Sequence, residues 1–158
     1  MAPELPECGL YRTGAALTGH ENEVPANVLV YFHNHSDQGP PMVLTPHANS
    51  HNRWQFHDRG WSVDESDFLA ALIALKPEGL YLNTEHLHVT REEIIPERTL
   101  LQLGYNRRGD SILFPARFVG NTIEFPEQGY SFGSPEVQIG LEAVSFNVPR
   151  PKASGQLH

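Results

Sequence analysis

Two stretches seventy residues apart begin alike: LPECGLYRTG, Leu5 to Gly14, and LKPEGLYLNT, Leu75 to Thr84. The likeness continues in order. ENEVPANVLVYFHN, Glu21 to Asn34, matches EEIIPERTLLQLGYN, Glu92 to Asn106, at an offset of 71, with Pro25 over Pro96 and Leu29 over Leu100. Beyond the next turn the offset becomes 69, with VLTP ending at Pro46 over ILFP ending at Pro115, and Asn52, Phe56, Gly60 and Ser62 over Asn121, Phe125, Gly129 and Ser131. DESDFLAALIAL then lies over GSPEVQIGLEAV, Leu72 on Leu141 and Ala74 on Ala143. An ordered series whose offset changes fall mostly in turns predicts a tandem duplication of a unit of about 70 residues. The first copy spans residues 5–74 and the second 75–148, with a polar, disordered tail expected from residue 149.

Each copy checks the reading of the other. VLVYFHN and TLLQLGYN are β-branched and apolar runs that lead into the turn formers HSDQGPP and RRGD, then into MVLTPH and SILFPARFV, which predicts a hairpin in each copy. A further strand follows, announced in the second copy by Gly120 and Asn121, which suit the positive-φ backbone of a tight turn. Helices are expected to close both copies. Ser66 or Asp64 would cap the first, whose stripe is Phe68, Leu69, Leu72, Ile73 and Leu75. Ser134, Pro135 and Glu136 supply an N-cap, a first-turn proline and a first-turn acid to the second, which Gly140 weakens. The expected architecture is α+β, mainly antiparallel β, packed as a pseudo-dimer. A unit of about 70 residues is marginal alone, so the copies should share a core.

Charge narrows the classes of function. Eleven basic and nineteen acidic side chains give a net charge of −8. The excess is spread evenly: four basic and eight acidic groups in residues 9–78, five and nine in residues 79–148. The cations that neutralise phosphates are scarce, so nucleic acid is not an expected partner. The N-terminal MAPELPECG has neither a basic region nor an apolar one, and no apolar run reaches the ~18 residues of a membrane span. Neither export nor membrane insertion is expected. With a single cysteine, Cys8, no internal disulfide can form, and the expected setting is cytoplasmic.

The histidines break the symmetry between the copies. Six of the nine lie in the first copy, and by the alignment His33 faces Gly104, His35 faces Asn106 and His47 faces Ala116. In VYFHNHSDQGPP the strand alternation puts Val28, Val30 and Phe32 on one face and Leu29, Tyr31, His33 and His35 on the other. Two imidazoles so spaced can chelate a divalent ion, zinc first, with Asp37 or His47 as a third ligand. The segment lacks the full signatures of known metalloenzymes: Gln38 stands where the HxHxDH motif of metallo-β-lactamases needs its last histidine, and Ser36 where deubiquitinase-like metalloproteases need proline. The competing reading makes HNHSD the polar end of a hairpin, and EHLH, with His86 and His88, a short strand of alternating polarity.

Other signals are structural. Arg108–Asp110 spells RGD, but these are ordinary hairpin-turn residues. No P-loop, dinucleotide fingerprint or nucleophile elbow is present. Cys8 precedes the first strand, opposite Glu78, and Trp54, Trp61, Tyr31 and Phe56 are expected in the core. Two functions of different class follow. One is a non-catalytic binding or assembly module that recognises a protein partner or another copy of itself. The other is a divalent-metal-binding protein or zinc-dependent hydrolase built on His33, His35, Asp37 and His47.

Overall fold

The computed structural model describes residues 5–34 and 40–145. The first half holds β1 (Gly9–Arg12), β2 (Leu29–His33), β3 (Met42–Leu44), β4 (Pro46–Ser50), β5 (Arg53–Phe56), β6 (Trp61–Ser62), α1 (Ser66–Ala70) and β7 (Ile73–Ala74). The second holds β8 (Gly79–Asn83), β9 (Leu87–His88), β10 (Ile94–Ile95), β11 (Leu100–Tyr105), β12 (Ser111–Pro115), β13 (Arg117–Val119), β14 (Thr122–Glu124), β15 (Tyr130–Phe132), a 3-10 helix (Pro135–Gly140) and β16 (Leu141–Ala143). Two five-stranded antiparallel sheets result, ordered β6-β3-β2-β1-β7 and β15-β12-β11-β8-β16. Short ribbons β4-β5, β13-β14 and β10-β9 stand beside them.

The sheets agree in register as well as order. Gly9 pairs Phe32 and Tyr11 pairs Val30 in one; Gly79 pairs Leu103 and Tyr81 pairs Leu101 in the other. Tyr11 donates its hydroxyl to the carbonyl of Glu7, and Tyr81 donates to that of Pro77, four residues upstream in both cases. A Cβ on Gly60 would collide with the carbonyl oxygen of Val43, and one on Gly129 with that of Leu113, so both sharp entries into β6 and β15 need glycine.

Register also refines the alignment. Phe32 pairs Val43 while Leu103 pairs Leu113, so β3 and β12 are 70 residues apart, not 69. The second change of offset falls at His47. A bulge between Pro46 and Ala48 sets this one residue apart from the β4-β5 ladder, whereas β13 and β14 pair from Arg117↔Glu124 to Val119↔Thr122. One extra residue of the first half thus lies in the hairpin loop and the other in a bulge. The tight turn after β4 carries positive φ at His51 (55°) and Asn52 (63°); in the second half Gly120 (62°) adopts it and Asn121 does not.

Helix is scarcer than the sequence suggests. The α-helix stops at Ala70, and Ile73–Ala74 leaves it to pair with β1, with the Leu75 N–H bonded to the Leu10 carbonyl. Its N-cap is Glu65, which makes no side-chain cap bond, rather than Ser66 or Asp64. A five-residue helix cannot repay its own nucleation, and β-branched Ile73 fits a strand on the open edge of β1. Phe68 and Leu69 still dock as expected. In the second half the cap is as read: Ser134 accepts from the Glu136 N–H, with Pro135 at the first position, but the turn is a 3-10 helix. The fold is therefore mainly antiparallel β, and the expected long closing helices are absent among the described residues.

The core has two parts. Tyr11, Leu17, Val24, Val30, Phe32, Val43, Val63 and Phe68 fill the first half. Leu75, Tyr81, Ile95, Leu101, Leu103, Leu113 and Leu141 fill the second, together with Leu29 from the first half and with Leu10, Trp54 and Phe56 packed against them. The start of strand β2 is thus buried on both faces, with Leu29 and Val30 both 0% exposed, while Tyr31 and His33 further along the Leu29 face are half-buried.

Candidate interaction surface

The residues proposed as metal ligands are only partly assembled. His33 ends β2, half-buried, its ring 6.4 Å from that of Tyr31. His35 and Asp37 lie outside the described residues. His47 sits in the β4 bulge, a device that re-aims a side chain, with its ring 4.6 Å from that of His57. Among the described residues, no group of three or more histidine, cysteine, aspartate or glutamate side chains is placed to hold an ion. The rings of His86 and His88 stand 5.2 Å apart on and beside β9. Asp110 of the RGD tripeptide is buried, 3.6 Å from the Arg12 guanidinium, and Asn106 accepts from the backbone N–H groups of Arg108 and Asp110. That tripeptide is the closed turn of a hairpin.

The geometry that stands out is a contact between the halves. Ribbon β4-β5 leans on the second sheet through the face that carries Asn52, Trp54 and Phe56, half-buried, while Arg53 and Gln55 alternate outward. Trp54 donates its indole N–H to the Tyr105 carbonyl (2.7 Å) and its backbone N–H to Glu78 (2.9 Å). Gln102 accepts from the Asn52 amide (3.0 Å) and donates to the His51 carbonyl (3.2 Å). Arg107 lies over the Trp54 ring at 5.0 Å and donates to the Pro46 carbonyl, and its own carbonyl accepts from the Leu29 N–H (2.8 Å). The end of β11 therefore fills a groove between β2 and the ribbon. Burial of Glu78 there raises its pKa, against the opposing pull of the Trp54 N–H and Arg53.

Behind this contact a polar junction ties the start of the second half to its closing turn. Gln138, buried, accepts from the Lys76 N–H and donates to Tyr105 and Ser111. Tyr105 donates in turn to the Lys76 carbonyl, and its burial raises its pKa well above the ordinary phenol range.

The corresponding ribbon of the second half is not packed against a sheet among the described residues. All residues of β13 and β14 are exposed. Phe118 and Ile123 pair directly across the ribbon, 79% and 52% exposed, at the positions that Asn49 and Trp54 hold in β4-β5. They line an open groove of about 310 Å³ with Thr99, Leu100 and Ala116. Leu100 is only half-buried there, whereas Leu29, its counterpart beside the docked ribbon, is fully covered.

A second opening lies on the first sheet. This cleft of roughly 570 Å³ is bordered by Cys8, Leu10, Tyr31, Trp54, Phe56 and Glu78. Cys8 is exposed, and its thiol bonds the backbone of Asn34. Strand and turn position in the sequence suggested a core role for Tyr31, Trp54 and Phe56, but they are half-buried around this cleft, and the unequal use of the two ribbons follows from packing between the halves and leaves no local pattern. The run RFVGNTIEF, apolar on a ribbon with no sheet to cover it, is the one signal that bears on it.

No protein-family model matches this chain, and neither the curated proteins nor the solved structures show a significant match. Among the described residues, no helix is long and apolar enough to cross a membrane.

Proposed function

We propose that this protein is a non-catalytic binding and assembly module, a tandem duplication of one β-rich unit packed as a pseudo-dimer, whose working surface is ribbon β13-β14. Equal strand order, equal register and equivalent Tyr11/Tyr81 and Gly60/Gly129 contacts support the duplication. The observation that carries the functional reading is the exposed Phe118–Ile123 pair. Isolated apolar side chains are common on surfaces, but a cross-strand aromatic–aliphatic pair beside an open groove, with Ile123 at the ribbon position where Trp54 docks, favours a contact site.

The test is the size of the native species in crude extract and after purification, for the natural chain and a Phe118→Lys/Ile123→Lys variant. The reading expects a complex above 17.7 kDa that the variant loses without a change in melting profile. A monomer of unchanged size in both settings would contradict it.

A second reading, a divalent-metal-binding protein or zinc-dependent hydrolase, is favoured by the His47–His57 pair, with His47 at the bulge shortly after β3, which pairs with the His33 strand. Elemental analysis of chelator-free protein tests it. Stoichiometric zinc lost in His33→Ala/His35→Ala or in His47→Ala would support it, and metal-free protein unaffected by added zinc would remove it.

A further inference from the structure

We propose that the groove beside ribbon β13-β14 binds an extended, acidic segment of another protein, whose carboxylates meet Arg98 and Arg117 and whose apolar side chains cover Phe118 and Ile123. The inference rests on the reading of that ribbon as a binding surface and names the class of its partner.

The molecule shows how such a groove is filled. In the first half, the space between the start of β2 and ribbon β4-β5 takes the extended end of β11. There the Arg107 carbonyl accepts from the Leu29 N–H and the Tyr105 carbonyl from the Trp54 indole. In the second half, the space between the start of β11 and ribbon β13-β14 is open among the described residues, with Leu100 and Ile123 as the counterparts of Leu29 and Trp54. A neighbouring hollow of about 450 Å³, bordered by Pro115, Pro126 and Tyr130, shares Ala116 and Arg117 with it. The two openings meet at Arg117 and form one track for an extended segment.

Charge selects the segment. Arg98 and Arg117 border the groove, both exposed, and neither guanidinium has an ion pair or hydrogen bond among the described residues. No carboxylate lines either hollow. Glu124 lies opposite Arg117 in the ribbon without bordering the groove, and Glu97 borders a different opening. In a chain of net charge −8, this is a cationic rim around apolar side chains. It fits an acidic partner and repels a basic one. The chain's own residues 146–158 carry Arg150 and Lys152 and no acidic side chain, so they repeat the charge of the rim.

The rim is also where the two halves differ. At the counterparts of Arg98 and Arg117 the first half has Asn27 and Ala48, neither of them basic. Asn27 and Arg98 share a left-handed backbone, with φ of 61° and 58°, and donate equivalent N–H groups to the Thr13 and Asn83 carbonyls. Asparagine adopts that conformation readily and arginine does not. The turn itself is better served by asparagine, and arginine there supplies a side chain that borders the groove.

The full-length chain, immobilised, is the bait for random peptides displayed on phage, with Phe118→Lys/Ile123→Lys as the counter-selection. A recovered peptide is then titrated by fluorescence anisotropy. The proposal expects the recovered peptides to share aspartate or glutamate beside aromatic or aliphatic residues. Arg98→Asn/Arg117→Ala, which installs the first half's residues, should weaken binding roughly three- to thirty-fold without lowering the melting temperature. Arg59→Asn/Arg91→Asn, an equal change of net charge at exposed sites elsewhere, should leave binding unaltered. Peptides without an acidic bias, no retained peptide, binding indifferent to Arg98 and Arg117, or equal effects of the two arginine pairs would each overturn the acidic partner. Self-association of the purified chain through Phe118 and Ile123 would also overturn it, by making a second copy the occupant. The binding reading is judged apart from these results: it stands if the complex in extract still depends on Phe118 and Ile123, and it fails if the chain is monomeric there as well.

Discussion

Thr13 and Asn83 satisfy the same backbone groups with different side chains. The Thr13 hydroxyl donates to the Pro25 carbonyl and accepts from the Val28 N–H; the Asn83 amide donates to the Pro96 carbonyl and accepts from the Thr99 N–H. Both side chains are at most 1% exposed, and the Pro96 carbonyl also accepts from the Thr99 hydroxyl. Asn83→Ala should cost about 1–3 kcal/mol in urea unfolding, the penalty of orphaned buried polar groups. Asn83→Thr, borrowing the other half's solution, should recover part of that; equal losses would show that the two positions are not physically equivalent. At Glu78 burial raises the pKa, so the folded chain holds this proton more tightly than the unfolded one. The stability it supplies is full below the ordinary glutamate value of about 4.3 and is lost as pH rises through the raised folded value. Glu78→Gln still accepts from Trp54 without a charge. Its melting temperature should exceed the natural chain's near neutral pH and converge with it in acid, and a pH-independent difference would refute this.

At the scale of elements, ribbon β4-β5 is the piece that joins the halves. Trp54→Phe keeps most of the ring but removes the hydrogen bond to the Tyr105 carbonyl, and should cost about 1 kcal/mol by thermal or denaturant melting. No loss would mean that packing alone holds the ribbon. Hairpins were the legible elements, because β-branched runs such as VLVYF and SILF bounded by turn formers have no competing periodicity. DFLAALIAL misled because its apolar spacing fits helix locally, while the unpaired edge of β1 takes Ile73 and Ala74 into a strand, a nonlocal demand. The His47 bulge was hidden for a related reason: alignment sees an offset change but not where the ladder absorbs it. Of the candidate metal residues, the spacing of His33 and His35 was visible in the sequence, but the approach of His47 to His57 arises only from the pairing of β4 with β5 and the path beyond it.

In the whole molecule, two similar ribbons are put to unequal use. β4-β5 joins the halves, whereas β13-β14 stands exposed among the described residues. The most direct measurement is hydrogen–deuterium exchange by mass spectrometry across a concentration series, comparing residues 46–56 with residues 117–124. The account predicts protection of the first ribbon in every setting, and fast exchange of the second in dilute purified protein that slows at high concentration or in the complex recovered from extract. Exchange in residues 117–124 that is equally fast in all of these, or already protected in dilute purified protein, would contradict it.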